Sequence, residues 1–235
     1  MFVFASLACS AEPAATKKSK PAKTAKGDQK SDAKAEKAAK SDAEPKSEKD
    51  DSINLEEATF GSGCFWCGEA VFEQLKGVKS VVSGFSGGTV PDPTYEQVLT
   101  GLTGHAEVIE ITFDPSVITF EELLEVFWKT HDPTRLNEQG PDHGTQYRSA
   151  IFYHTDEQRE IAEKSKQKHT KPGRNAPKIV TEITKFSEFY PAEDYHQNFF
   201  KNNPHNEYVL RYVRPKVGKV KKEFKDQLKE APAKK

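Results

Sequence analysis

Cys64 and Cys67 stand three residues apart in GSGCFWCGEA, residues 61–70, with Phe65 and Trp66 between them and glycines on both sides. They are two of only three cysteines in a chain of 235 residues. A strand ending near Gly61 and a helix starting near Phe65 would leave Cys64 at the helix N-terminus. The dipole and unpaired amides there favour a thiolate and arm it as a nucleophile. Cys67, one turn on, returns to the same side, within the Cα separation a disulfide tolerates. Cys64 could therefore attack and Cys67 close on it afterwards. Three other chemistries share this pattern: buried structural cysteines, half of a zinc site, and a general thiol–disulfide exchanger. The zinc site lacks a second Cys-x-x-Cys and any histidine spacing to complete it.

Further polar residues are candidates to work with a thiolate. TGHAEVIEITFD sets Glu107 just inside a strand, after Gly104 and His105; EQGPDHGTQYRS gathers Asp142, His143, Gln146 and Tyr147; PTYEQV presents Tyr95 near a turn. Each alone is ordinary: two aromatics at a core edge, a turn aspartate, a solvated strand carboxylate. Together with Cys64 they make a nucleophile with an acid and two hydroxyls, a set suited to protonating a polar oxygen.

The elements that must position them can be read coarsely. EEATFG (56–61) is a short strand, and apolar residues at 70, 71, 72 and 75 space a helix that stops at Gly77. VKSVVSGF (78–85) is β-branched and strand-like, and AEVIEITF (106–113) alternates as a half-buried strand does. Thr119 and Glu122 form a capping box before FEELLEVFWKT; Thr155 and Gln158 repeat the pattern before a helix to about His169. Strands are expected at RSAIFYH (148–154) and KIVTEITKF (178–186), with a Tyr/Asn/His-rich segment and a short helix to follow. This order predicts an α+β domain of two layers, a mixed β-sheet with helices packed on it, built on a ferredoxin-like split βαβ core with additions. Loop 132–146 is long enough to suggest an active-site role.

Composition divides the chain. Residues 10–52 are almost entirely Lys, Ala, Ser, Glu, Asp and Pro, a disordered linker by composition, carrying 11 lysines and 9 acids. Residues 53–213 hold the core, with 15 Lys/Arg against 24 Asp/Glu; residues 214–235, with 9 against 3, are a basic C-terminal tail that reads as a solvated helix end. That tail gives no reason to expect a nucleic-acid partner, and no stretch has the length of a membrane span. MFVFASLAC, residues 1–9, resembles the end of a bacterial lipoprotein signal with Cys9 as the lipidated residue, although it lacks a charged start and has Ser6 where leucine is usual. The expected location is a bacterial cell envelope with a lipid anchor at Cys9, and otherwise the cytoplasm. Met1 is the only methionine.

GSGCFWCGEAVFEQLKGV, SGFSGG, PTYEQV, TGHAEVIEITFDP, EQGPDHGTQYRS and FYPAEDYHQNFF cover nearly all of 56–205. Together, and in this order, they resemble the peptide methionine sulfoxide reductases of the A type. The resemblance implies Cys64 as the nucleophile on the sulfoxide sulfur, and Glu107 as the group protonating the departing oxygen. Tyr95 and Tyr147 would bond that oxygen, Asp142 would orient the polar set, and Phe65 and Trp66 would form the apolar pocket for the substrate methyl. It further implies reduction of the S epimer, free or in proteins, with thioredoxin or another dithiol as electron source, no cofactor or metal, and a monomer. Many relatives carry resolving cysteines near the C-terminus, often just after a tyrosine; this chain has Tyr208-Val209 there and no cysteine beyond Cys67. Either Cys67 resolves or an outside thiol does. The alternative activity is general thiol–disulfide exchange by Cys64 and Cys67.

Overall fold

A computed structural model describes residues 54–230. The lipoprotein-like start with Cys9 and the linker 10–52 lie outside the described residues. Strand β1 (Glu56–Ser62) leads through Gly63 and Cys64 into helix α1 (Phe65–Phe72), and β2 (Val78–Ser86) and β3 (Ala106–Phe113) follow. Helix α2 (Tyr95–Leu99) lies in the connection between β2 and β3. Helix α3 (Phe120–Thr130) comes next, then a two-stranded ribbon of β4 (Glu138–Gln139) and β5 (Asp142–His143), and strand β6 (Ser149–Tyr153). The chain continues through α4 (Asp156–His169), β7 (Glu182–Lys185), β8 (Phe189–Pro191), α5 (Phe199–Asn202) and α6 (Arg214–Glu223).

The sheet order is β7-β6-β1-β3-β2-β8. Its inner four strands, β6-β1-β3-β2, pair antiparallel throughout, the split βαβ arrangement expected from the sequence. β7 adds in parallel to β6 and β8 antiparallel to β2, which makes the sheet mixed. Of the two expected capping boxes, the first closes reciprocally and the second keeps only its threonine cap. Thr119 Oγ1 accepts from the Glu122 amide while Glu122 reaches back to the Thr119 amide, and Thr155 Oγ1 accepts from the Gln158 amide. The Gln158 side chain instead turns to the Glu57 carbonyl on β1, tying α4 to the sheet.

The core lies where α1 and α3 cover the sheet. Phe60 on β1 meets the rings of Phe72, Phe120 and Phe127 at centroid distances of 5.7, 5.9 and 5.2 Å. Every residue of α1 is buried. Gly68 permits that close seat, because a Cβ there would meet Ile109 Cδ1 of β3 at 3.2 Å.

Two expectations need correction. The 178–186 strand is reduced to Glu182–Lys185, because the Val180 amide is already committed to the Pro133 carbonyl outside the sheet. Among the described residues after 213 the expected helix is present, but it is not wholly solvated. A wide π-type turn at Val209–Val213 runs straight into α6, and Val209, Val213, Val217 and Val220 are all buried. Burial of each valine contributes roughly 1.5–3 kcal/mol, enough to fold the segment down despite its charge. Its end is stitched to the exit of α1: the Lys76 amide donates to the Gln227 carbonyl, the Lys229 amide donates to the Gln74 carbonyl, and Leu75 bridges Leu228.

Candidate active site

Cys64 is placed by a turn that only a small residue allows. Gly63 has φ +88°, and a Cβ on it would stand 2.5 Å from the Gln139 side chain. The chain then enters α1 with Cys64 as the residue before the first helical position, its carbonyl accepting the Cys67 amide at 3.1 Å. Both cysteine side chains are buried, Cys64 being 2% exposed. A hydrogen bond to Cys64, then burial, push the Cys67 thiol well above the usual thiol range, with Lys216 opposing them. Cys67 therefore holds its proton beside Cys64.

Glu107, second residue of β3, is 1% exposed, and its Oε2 accepts the backbone N–H of Phe65 at 3.0 Å. That amide belongs to the residue next to Cys64, so the carboxyl sits at the same helix end as the thiol. Burial pushes Glu107 well above the ordinary carboxylate range; the Phe65 amide opposes this, while Asp142 and Cys67 add to it. A carboxyl in this setting favours its acid form. Asp142, on β5, is also buried and raised by burial, and its Oδ2 accepts the Tyr208 hydroxyl at 2.5 Å. Tyr208 is in turn raised, first by burial and then by the thiols and Asp142.

Cys64, Cys67, Asp142 and Tyr208 line one cleft of about 120 Å³, with Arg211 and Lys216 among its other walls. Phe65 and Trp66, expected as pocket walls, do not line it. Trp66 is stacked on Phe199 at 3.6 Å and 3°, with Tyr208 edge-on at 5.8 Å. Phe65 lies under His196 at 5.0 Å and beside Phe85 and Tyr95. The physical reason is the segment 196–208, folded over both rings. Tyr95 opens α2 and belongs to this aromatic layer, 4.3 Å from His196, its amide held by Glu193. Tyr147 is buried in the turn that packs on β3, its amide donating to the Gly144 carbonyl.

Several site residues escaped the sequence reading. Glu69 accepts the Asn198 and Phe199 amides at 2.7 and 3.3 Å, and burial lifts it to about 7. It thereby seats Phe199 on Trp66. Tyr208, Arg211 and Lys216 come from the segment read as the end of the core and the start of a tail. The buried valine spacing was the available signal for them. Among the described residues no cluster of three His, Cys, Asp or Glu side chains is placed to hold a metal ion.

Comparison with known proteins bears on this geometry. The family model described as peptide methionine sulfoxide reductase matches residues 56–228. A peptide methionine sulfoxide reductase MsrA of Polynucleobacter asymbioticus is 54% identical over 171 residues, 73% of this chain and 90% of that protein. That of Saccharolobus solfataricus is 54% identical over 175 residues, 74% of this chain and 98% of its own. Among solved structures, reduced Mxr1 of Saccharomyces cerevisiae is similar at TM-score 0.60 and 34% identity, covering 66% of this chain and 90% of that one. Methionine sulfoxide reductase A of Corynebacterium diphtheriae follows at TM-score 0.58 and 38% identity, covering 65% and 76%.

Proposed function

Because the chain belongs to the peptide methionine sulfoxide reductases of the A type, we propose how its residues divide the work of reducing methionine S-sulfoxide to methionine. The observation that carries the division of roles is the buried Glu107 carboxyl bonded to the amide beside Cys64. A sulfoxide sulfur becomes electrophilic as its oxygen gains a proton, so the reaction needs an acid within reach of a thiolate. Glu107 holds that proton. Cys64 attacks the sulfur and forms an S–S bond; as that bond and the substrate S–O bond break, the protonated oxygen passes to the cysteine sulfur, the substrate sulfur takes two electrons and leaves as methionine, and Cys64 is left as a sulfenic acid. Tyr95 and Tyr147 supply hydroxyls for the sulfoxide oxygen, and Asp142 with Tyr208 keeps the polar side of the cleft ordered. Phe65 and Trp66 take the substrate methyl once the aromatic layer over them parts.

Cys67 is the resolving thiol. It lies one turn along α1, hydrogen-bonded to Cys64; in the condensation its proton passes to the departing hydroxyl, its sulfur attacks the sulfenic sulfur, the S–S bond forms and water leaves. A thioredoxin-like dithiol then reduces the disulfide. The test uses methionine S-sulfoxide and R-sulfoxide with purified protein, wild type and Cys67→Ser. Only the S epimer should be consumed. The variant should yield a full single turnover, leaving Cys64 oxidised, while thioredoxin-coupled cycling slows by about tenfold or more. Undiminished cycling would assign resolution to an outside thiol. Insulin reduction in place of sulfoxide turnover would favour general thiol–disulfide exchange.

The lipoprotein-like run ending in Cys9 supports an envelope location through a lipid anchor. Mass spectrometry of the native N-terminus should find residues 1–8 removed and a diacylglyceryl mass on Cys9. An intact Met1 would refute this.

A further inference from the structure

Two cations stand at the mouth of the nucleophile's cleft without a closed ion pair. Arg211 and Lys216 both line the cavity that holds Cys64, and among the described residues neither forms a salt bridge or a side-chain hydrogen bond. Their neighbours are engaged. Lys219 donates to the Lys129 carbonyl, Arg214 to the Pro204 carbonyl, and Lys201 pairs with Glu73. The one carboxylate in the cleft wall, Asp142, is buried and already bonded to Tyr208, and Lys216 acts on it only at a distance. Glu138, on the adjoining ribbon, is taken by Arg135 and His143.

Helix geometry is arranged to present both cations together. In a straight α-helix, positions five apart diverge by roughly 140°. The π-type turn at Val209–Val213 inserts an extra residue into the run, which brings Arg211 and Lys216 back to one side. The same run carries its valines inward, so the cations are fixed by a buried anchor. The placement also runs against the charge of the domain: residues 53–213 hold 15 Lys/Arg against 24 Asp/Glu, while 214–235 hold 9 against 3. Arg211 and Lys216 are the cations that this part of the chain brings to the cleft wall.

We propose that Arg211 and Lys216 form a carboxylate subsite at the rim of the Cys64 cleft, so that sulfoxide substrates bearing a carboxylate next to the reacting residue are preferred. The inference rests on Cys64 being the nucleophile of sulfoxide reduction. Arg211 offers a planar fork suited to bidentate carboxylate binding, and half-buried Lys216 adds a point charge. Two sources share this chemistry: the α-carboxylate of free methionine sulfoxide, and an aspartate or glutamate adjacent to an oxidised methionine in a polypeptide.

The experiment measures kcat/KM for two matched pairs on wild-type protein and on Arg211→Gln/Lys216→Gln, with each single variant alongside. The first pair is methionine S-sulfoxide and its carboxamide. The second is a blocked tripeptide with methionine S-sulfoxide followed by aspartate, and the same peptide with asparagine. Wild type should favour the carboxylate member of at least one pair by about tenfold at low salt, less at high salt. The double variant should bring that ratio close to unity, with thermal unfolding unchanged because neither side chain is packed in the core. The pair that responds identifies the source. Flat ratios in wild type, a ratio that survives in the variant, or an equal loss for both members would overturn the subsite. Absence of all sulfoxide turnover would overturn the reading of Cys64 beneath it, a separate outcome from turnover with flat ratios.

Discussion

Cys64→Ser abolishes sulfoxide reduction, with a loss on the order of 10⁴-fold or more, the scale seen when a nucleophile is removed from a catalytic unit. The substitution changes one atom in a buried position, so the fold and the helix start should persist. A serine hydroxyl at that helix end does not ionise, and it cannot become a sulfenic acid. Cys67 cannot take over. Even with the Cys64 thiol gone, burial still pushes its own thiol toward the protonated form. Methionine release measured with dithiothreitol as reductant gives the readout, and the enzyme mass after one exposure to substrate gives a second. The variant should gain no oxygen or disulfide mass. Turnover retained in Cys64→Ser would sink the assignment of the nucleophile.

Glu107→Gln should lower kcat by about 10² to 10⁴, the usual contribution of a positioned general acid. The amide can still accept the Phe65 N–H, so local geometry survives while the transferable proton is gone. The pH profile adds a sharper signature. Burial raises the folded-state pKa of Glu107 above its unfolded value. The acid form, and the activity that depends on it, is therefore present below the raised pKa and lost as pH rises through it. Wild-type protein should show that alkaline decline, and the glutamine variant should lack it. Stability follows the same linkage. The folded state binds this proton more tightly than the unfolded chain, so its contribution falls as pH rises from the unfolded pKa toward the folded one. Glutamine carries no charge to desolvate, so the variant should be at least as stable as wild type at neutral pH. A variant that loses activity by unfolding would contradict this. Insulin reduction, which needs no acid, should be untouched if it occurs at all.

The parts of this molecule that were readable in advance are those whose signals are local. Gly63, Cys64 and the apolar run after them specify a strand-to-helix turn within ten residues, and both capping boxes lie within four. The alternation of 106–113 placed Glu107 on β3 before any partner was known. What escaped notice depends on contacts across the chain. Glu69 carries no local signal of its role, yet it is buried and accepts the amides of Asn198 and Phe199, 129 and 130 positions later. Trp66 was expected to face substrate, but Phe199 arrives from the far end of the sequence to cover it. Loop 132–146 was rightly associated with the site, although the ribbon of β4 and β5 inside it, which carries Asp142, was not anticipated. The basic composition of 214–235 concealed valines at 217 and 220, which continue from Val213 the spacing of an inward helix stripe.

The stitching of residues 227–229 to residues 74–76 makes the chain's finish part of the frame that carries the nucleophile. The covering segment and α1 are consequently moored at a shared point, and Tyr208, Arg211 and Lys216 hang between that mooring and the hook of Glu69 on Asn198. The covering segment is thus a strap buckled at both ends and, through Val209, Val213, Val217 and Val220, pressed down along its middle as well.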